Sequence, residues 1–186
     1  MKVLIACEFS GVGREAFKAK GHDAWSCDLL PTEIPGQHIQ GDVRTILRFG
    51  WDLIIAHPSC TRLCNSGVRW LHERNLWDEM REGAEFFKEC LNGNALKIAV
   101  ENPVMHKYAV EIIGRKHDFS VQPYEHGEPY TKRTCFWTKG LPKITPTKII
   151  EERYPAVHRA SPGPDRWKER SRSYPGIMNA LAEQWG

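Results

Sequence analysis

The chain has no apolar run approaching the roughly 18 residues that a membrane-spanning helix needs. Its amino terminus, Met1-Lys2-Val3-Leu4-Ile5-Ala6-Cys7-Glu8, meets an acid too early for a secretory leader. A cytoplasmic protein is expected. Internal repeats and low-complexity tracts are missing too, which excludes solenoids and flexible linkers. No cysteine framework is visible: residues 7, 27, 60, 64, 90 and 135 are scattered, so free thiols are expected rather than disulfides. Cys60 and Cys64, flanked by His57 and His72, form a Cys-x3-Cys without a second pair, which argues against zinc. No His-x-Glu precedes a Pro-Cys-x-x-Cys, so the zinc deaminase signature fails. Net charge is only +3, too little to announce a nucleic-acid partner.

What is present is ordinary in total and uneven in arrangement. A chain of 186 residues with 41% hydrophobic and 26% charged residues fits one soluble domain with a substantial core. The segment 139–172 holds nine Lys or Arg against four Asp or Glu, so it carries +5 and leaves −2 for the rest. It also contains five prolines and few apolar residues, so irregular structure is expected there.

The first residues read as strand, glycine turn and helix: Val3 to Ala6, then Phe9-Ser10-Gly11-Val12-Gly13, then Arg14 to Lys20. Gly21 ends that helix, and His22 to Cys27 is a second strand ending at Asp28. A carboxylate so placed can hold a ribose hydroxyl. The turn lacks a complete Gly-x-Gly-x-x-Gly, so a cofactor without phosphates fits better than a dinucleotide, and a tight strand-to-helix connection is the plain alternative. Gly41-Asp42-Val43 places a second carboxylate at a strand end.

The stretch from Leu53 to Gly67 carries the most chemistry. A buried strand to Ala56 stops at His57-Pro58 and delivers Cys60 into a polar loop, at the end of a sheet where ligand crevices form. Trp70 to Leu91 has helical apolar spacing, and Ala95 to Val100 is another buried strand that ends at Glu101-Asn102-Pro103. Those three residues are equally good turn chemistry for a helix near Val104 to Gly114. Phe119 to Pro123 and Arg133 to Trp137 read as further strands, and Pro175 to Trp185 as a terminal helix with Ser173 as a possible cap.

The ordered set Phe9-Ser10-Gly11-Val12-Gly13, Asp28, Gly41-Asp42-Val43, Pro58-Ser59-Cys60, Glu101-Asn102-Pro103 and Lys132-Arg133 resembles the motif series of DNA cytosine-5 methyltransferases. The whole chain is most similar to the compact, phage-type branch of that superfamily, including its terminal Tyr-Pro-Gly-Ile helix. The resemblance implies an α/β Rossmann-like class I methyltransferase fold, mostly parallel, with helices on both faces and an antiparallel last strand. It implies a catalytic core over 1–138, the basic Pro-rich segment 139–172 in place of a target-recognition domain, and a C-terminal helix over 173–186. The implied location is the cytoplasm of a bacterial or phage-infected cell. The implied cofactor is S-adenosylmethionine, held by Phe9, Ser10, Gly11, Gly13, Asp28, Asp42, Pro58 and Ser173. Asp28 would take the ribose hydroxyls and Asp42 the adenine amine.

The implied chemistry explains why these residue types meet. Carbon 5 of cytosine is a poor nucleophile until a thiolate adds at carbon 6. Cys60 is the candidate thiolate, Glu101 the group that donates to ring nitrogen 3, and Arg133, with Lys132, the cation that favours the thiolate. DNA would be held through phosphates by Arg62, Arg69, Lys132, Arg153, Arg159, Arg166, Lys168, Arg170 and Arg172. Those arginines would otherwise only solubilise a proline-rich surface. Three departures stand out: Ser59 replaces the usual proline, Pro103 the usual valine, and Tyr130-Thr131-Lys132-Arg133-Thr134 the usual Gln-x-Arg-x-Arg. The first is expected to loosen the cysteine loop, since proline fixes a backbone angle. Alternatives are methylation of a free pyrimidine nucleotide or another base position, and a catalytically degenerate DNA-binding relative.

Overall fold

The computed structural model describes residues 1–155, 163 and 166–186. Seven strands form one sheet: β1 (Lys2–Ala6), β2 (Asp23–Asp28), β3 (His38–Gln40), β4 (Leu53–Ala56), β5 (Lys97–Asn102), β6 (Phe119–Val121) and β7 (Thr134–Lys139). Their spatial order is β3-β2-β1-β4-β5-β7-β6, with β3 to β5 parallel and β7 antiparallel to both neighbours. This is a Rossmann-like α/β fold, mostly parallel, with helices on both faces. The chain winds outward from β1 through β2 and β3, then restarts at β4 on the other side, so the carboxyl ends of β1 and β4 flank a crevice.

Strand alternation explains the two faces. Val3 and Ile5 join Leu53, Ile55 and Ala99 in one cluster, while Leu4, Ala6, Ile54, Ala56 and Ile98 join another. The first face is covered by α1 (Val12–Ala19) and by the terminal helix Pro175–Trp185, through Phe17, Ile177, Leu181 and Trp185. The second is covered by Trp77–Leu91 and Lys107–Ile113, through Met80, Ala84, Phe87 and Ala109. Buried side chains of this kind contribute about 1.5–3 kcal/mol each, so both helix layers are needed to hold the strand ends in place.

Several expectations are corrected. The long helix expected over Trp70 to Leu91 is two: α2 (Val68–Glu73) and α3 (Trp77–Leu91). Asn75 adopts a left-handed φ of 52° between them, which asparagine tolerates better than most residues. The helix expected from Val104 starts later, as α4 (Lys107–Ile113), because the His106 side chain accepts from the Ala109 N–H and caps it there. Glu101 and Asn102 stand in β5 itself rather than in a turn. The basic segment contains a short helix, α5 (Arg166–Ser171), that its prolines did not suggest. Ser173 does not cap the terminal helix, α6 (Pro175–Trp185); Tyr174 holds that position, and Pro175 needs no N–H partner in the first turn.

Candidate active site

A cleft of about 750 Å³ opens at the carboxyl ends of β1, β2, β4 and β5, a volume in the range that holds cofactors and drug-sized ligands. Register brings its reactive side chains together. Ala56 pairs with Val100, so the next residues along, His57 and Glu101, emerge side by side. The His57 Nδ1 lies 3.3 Å from Oε2 of Glu101, and their side chains are only 10% and 14% exposed. Asn102, buried beside them, donates from Nδ2 to the Pro58 carbonyl at 2.9 Å and so ties β5 to the cysteine loop. That loop is held elsewhere too: the His57 N–H donates to the Ala6 carbonyl, and the Leu63 and Cys64 N–H groups donate to the Cys60 carbonyl. Ser59 does not leave it slack. Its hydroxyl donates to Thr61 Oγ1 and accepts from the Thr61 N–H, a local turn that supplies part of the restraint a proline would give.

Cys60 and Cys64 act as a pair. The Cys64 thiol is pulled down to about 5 by the hydrogen bond from Cys60, against its own desolvation, with help from Ser66 and the Gly67 N–H. The same bond and burial push Cys60 up, and the Glu101 charge adds to this while Lys132 opposes it. Within the pair, ionisation is favoured at Cys64 over Cys60. Burial raises the Glu101 carboxyl, yet the bond from His57 and the Lys132 ammonium outweigh burial and hold it below the ordinary carboxylate value.

Lys132, rather than Arg133, is the cation that acts on both Cys60 and Glu101. Its Nζ donates to the Arg170 carbonyl at 3.2 Å and lies over the Tyr174 ring. Arg133 is exposed at the cleft rim, where its Nε donates to Ser120 Oγ.

The other end of the cleft gathers Phe9, Ser10, Asp28, Leu29, Leu30 and Asp42, while Pro58 lines it from the cysteine loop. Gly11 and Gly13 do not line it. Gly13 N–H and Ser10 Oγ instead donate to Oε1 of buried Glu8, at 2.6 and 3.0 Å, and close the turn. Gly11 has φ 78°, and a Cβ there would meet the Arg14 guanidinium at 2.8 Å. Arg14 is fully buried and donates to Ser26 Oγ, Thr32 Oγ1 and the Ile34 carbonyl, at 2.9, 3.2 and 2.5 Å. Asp28 accepts from the Leu30 N–H, and Asp42 from both the Arg44 N–H and its guanidinium. Ser173 lies in a smaller adjoining cavity. These carboxylates and the wall of Phe9, Leu29 and Leu30 suit the hydroxyls, amine and adenine face of S-adenosylmethionine by donor and acceptor type.

The residues assigned to DNA divide. Arg62 pairs with Glu79, Arg69 with Glu73, and Arg172 with Glu33, while Arg153 stacks on Tyr124. Arg170 and Lys132 line the cleft, and Arg166 and Lys168 stand on α5 beside it. Arg159 lies outside the described residues. The sequence analysis assigned no site role to His57, Asn102 or Trp167. The first two could have been found from their places at the ends of adjacent buried strands. Trp167, whose ring lies 6.4 Å from Phe9 at the cleft mouth, had no comparable signal.

No protein-family model matches the chain, and no curated protein matches it. Among solved structures it is similar to a candidate DNA modification methyltransferase encoded within a prophage of E. coli, at 18% identity and a TM-score of 0.48. The match covers 87% of this chain and 56% of that one, so this chain spans about half the length of that protein. Among the described residues no helix is long and apolar enough to cross a membrane.

Proposed function

We propose that this chain is an S-adenosylmethionine-dependent methyltransferase that places a methyl group on carbon 5 of cytosine in DNA. The observation that carries this reading is the meeting of Cys60, Glu101 and Lys132 at one end of a cleft whose other end holds Asp28 and Asp42. The donor, when bound, supplies an electrophilic methyl group.

The protein's own residues do the rest. Cys60 passes its proton to Cys64 and adds to carbon 6. Glu101, held as a carboxylate before the base enters, takes up a proton as the base binds and donates it to nitrogen 3, and Lys132 stabilises the negative charge on Cys60 and Glu101. A base stacked in a duplex hides carbon 6, so the target is flipped or single-stranded. Arg170 and Lys168 at the cleft mouth contact phosphate. One observation favours a second reading, methylation of a free pyrimidine nucleotide: Arg62, Arg69 and Arg172 already have carboxylate partners, which leaves a thin grip on DNA.

Calorimetry with S-adenosylmethionine, followed by tritium transfer to duplex, single-stranded and mononucleotide cytosine, tests these readings. Donor binding with label recovered as 5-methylcytosine in DNA is the expected result. Label only in the mononucleotide would select the second reading. Absence of donor binding would overturn both.

A further inference from the structure

We propose that His57 is the positioning residue of the acid: its Nδ1–H fixes Oε2 of Glu101, leaves Oε1 to face the pyrimidine ring, and stabilises the carboxylate formed when the proton leaves. This role rests on the cytosine methyltransferase reading. It starts from the sheet, because the parallel register of β4 and β5 sets the two residues beside each other at their strand ends. The contact is 3.3 Å, and both side chains are largely buried. Within this buried pair the contact uses one nitrogen and one oxygen. Nε2 of His57 and Oε1 of Glu101 are buried without a hydrogen-bond partner, although both residues line the cleft. Buried polar atoms are ordinarily bonded, so two orphans on one bonded pair mark a place where a polar ligand edge completes the set.

The asymmetry has a chemical consequence. An oxygen that accepts from an N–H is the poorer site for a proton, so Oε1 carries the proton in the acid form. When the Cys60 thiolate forms its bond to carbon 6, the carbon 5–carbon 6 π pair moves to carbon 4–carbon 5, and the carbon 4–nitrogen 3 π pair moves onto nitrogen 3. Nitrogen 3 takes the proton from Oε1, and the O–H electron pair stays on Glu101. The Nδ1–H of His57 then stabilises that carboxylate, which makes Glu101 a stronger acid than burial alone would allow. The titratable and charged groups around the pair are Cys60 from the loop after β4, Lys132 ahead of β7, Cys135 on β7, and Arg172 and Tyr174 ahead of α6.

Two measurements on the full chain test the role. In the first, carboxyl-labelled glutamate is followed by NMR in wild type, His57→Asn and His57→Ala, without substrate. The Glu101 titration should move upward in His57→Ala and be partly restored in His57→Asn, whose amide N–H stands where Nδ1–H stood. In the second, methyl transfer is followed against pH. His57→Ala should lose on the order of 100-fold in kcat, keep its KM for DNA, and move its alkaline limb to higher pH. His57→Ala in a Glu101→Gln background should add little further loss. A Glu101 titration that stays put in His57→Ala overturns the proposal. So does a rate loss with an unshifted alkaline limb. A shifted Glu101 titration in a wild-type protein that methylates no cytosine would sink the methyltransferase reading and leave the His57–Glu101 coupling standing.

Discussion

At the end of the cleft formed by β4 and β5, His57 and Glu101 are largely buried and bonded to each other, with half-buried Cys60 and Lys132 beside them. At the end formed by β2 and β3, Asp28 is half-buried, Asp42 is exposed, and both are bonded to the backbone of their own loops. Burial removes competing water and fixes geometry before any substrate arrives, which is what bond-making needs. Exposure and local bonding suit a ligand that must enter and leave at each turnover. The comparison assigns chemistry to one end and exchange to the other.

The sharpest way to break it is Cys60→Ser, which should reduce methyl transfer by about 1000-fold or more while donor affinity is kept, because a serine hydroxyl is scarcely ionised near neutrality. Titration calorimetry beside a tritium assay reads both quantities. Equal loss of donor binding would mean that the two ends are not separate.

Next comes Cys64→Ser, expected to cost roughly 10- to 100-fold near neutral pH, within the range for loss of a proton acceptor. In the proposed mechanism Cys64 takes the Cys60 proton, and its thiol is pulled down to about 5, so the wild-type rate should be lost as pH falls through that value. In the variant the rate should appear only at higher pH, as Cys60 ionises unaided. An unchanged pH profile in Cys64→Ser would return Cys64 to a bystander.

At the exchange end, Asp28→Ala should weaken donor binding by about tenfold or more, the usual consequence of losing a charged hydrogen-bond acceptor. Asp42→Ala should do less, because Arg44 already engages its carboxylate. Calorimetry that ranked Asp42 above Asp28 would reverse the assignment of the two carboxylates.

The smallest effect is expected on the surface. Neutralising Lys168 and Arg170 should flatten the log–log salt dependence of duplex binding by about 0.9 per lost contact. Arg69→Gln should barely change it, since Arg69 is paired with Glu73 and stacked on Trp70. Equal slopes for both variants would support the solubilising role for α5.

The strands and their ends were legible because a buried parallel strand leaves a continuous apolar run and can deliver its next side chain to only one end of the sheet. Cys60, Glu101 and Asp28 were placed beside one cleft in that way. The break at Asn75 was not legible, because periodicity continues across it. The preference for Lys132 over Arg133 depends on β-strand alternation at a strand whose first residue the sequence placed one position early. The pairing of Cys60 with Cys64 depends on a turn, closed by the Cys64 N–H on the Cys60 carbonyl, that a Cys-x3-Cys spacing does not specify. The surroundings of the arginines were not legible for a different reason: charge is countable in a sequence, but whether a carboxylate waits nearby is a tertiary fact.

The buried guanidinium of Arg14 belongs to the first turn of α1, yet it grips the far loop between β2 and β3 at Thr32 and Ile34, and a Cβ on Gly36 would strike it at 2.8 Å. Helix, glycine turn and donor-side wall are therefore cross-braced at a single point, like a hinge welded shut. Stiffness of that kind is indifferent to charge at the rim. It ties the wall carrying Leu29 and Leu30 to α1 as one piece, and α5 leans on that same wall, with Trp167 beside Phe9 and Arg172, just after the helix, paired with Glu33.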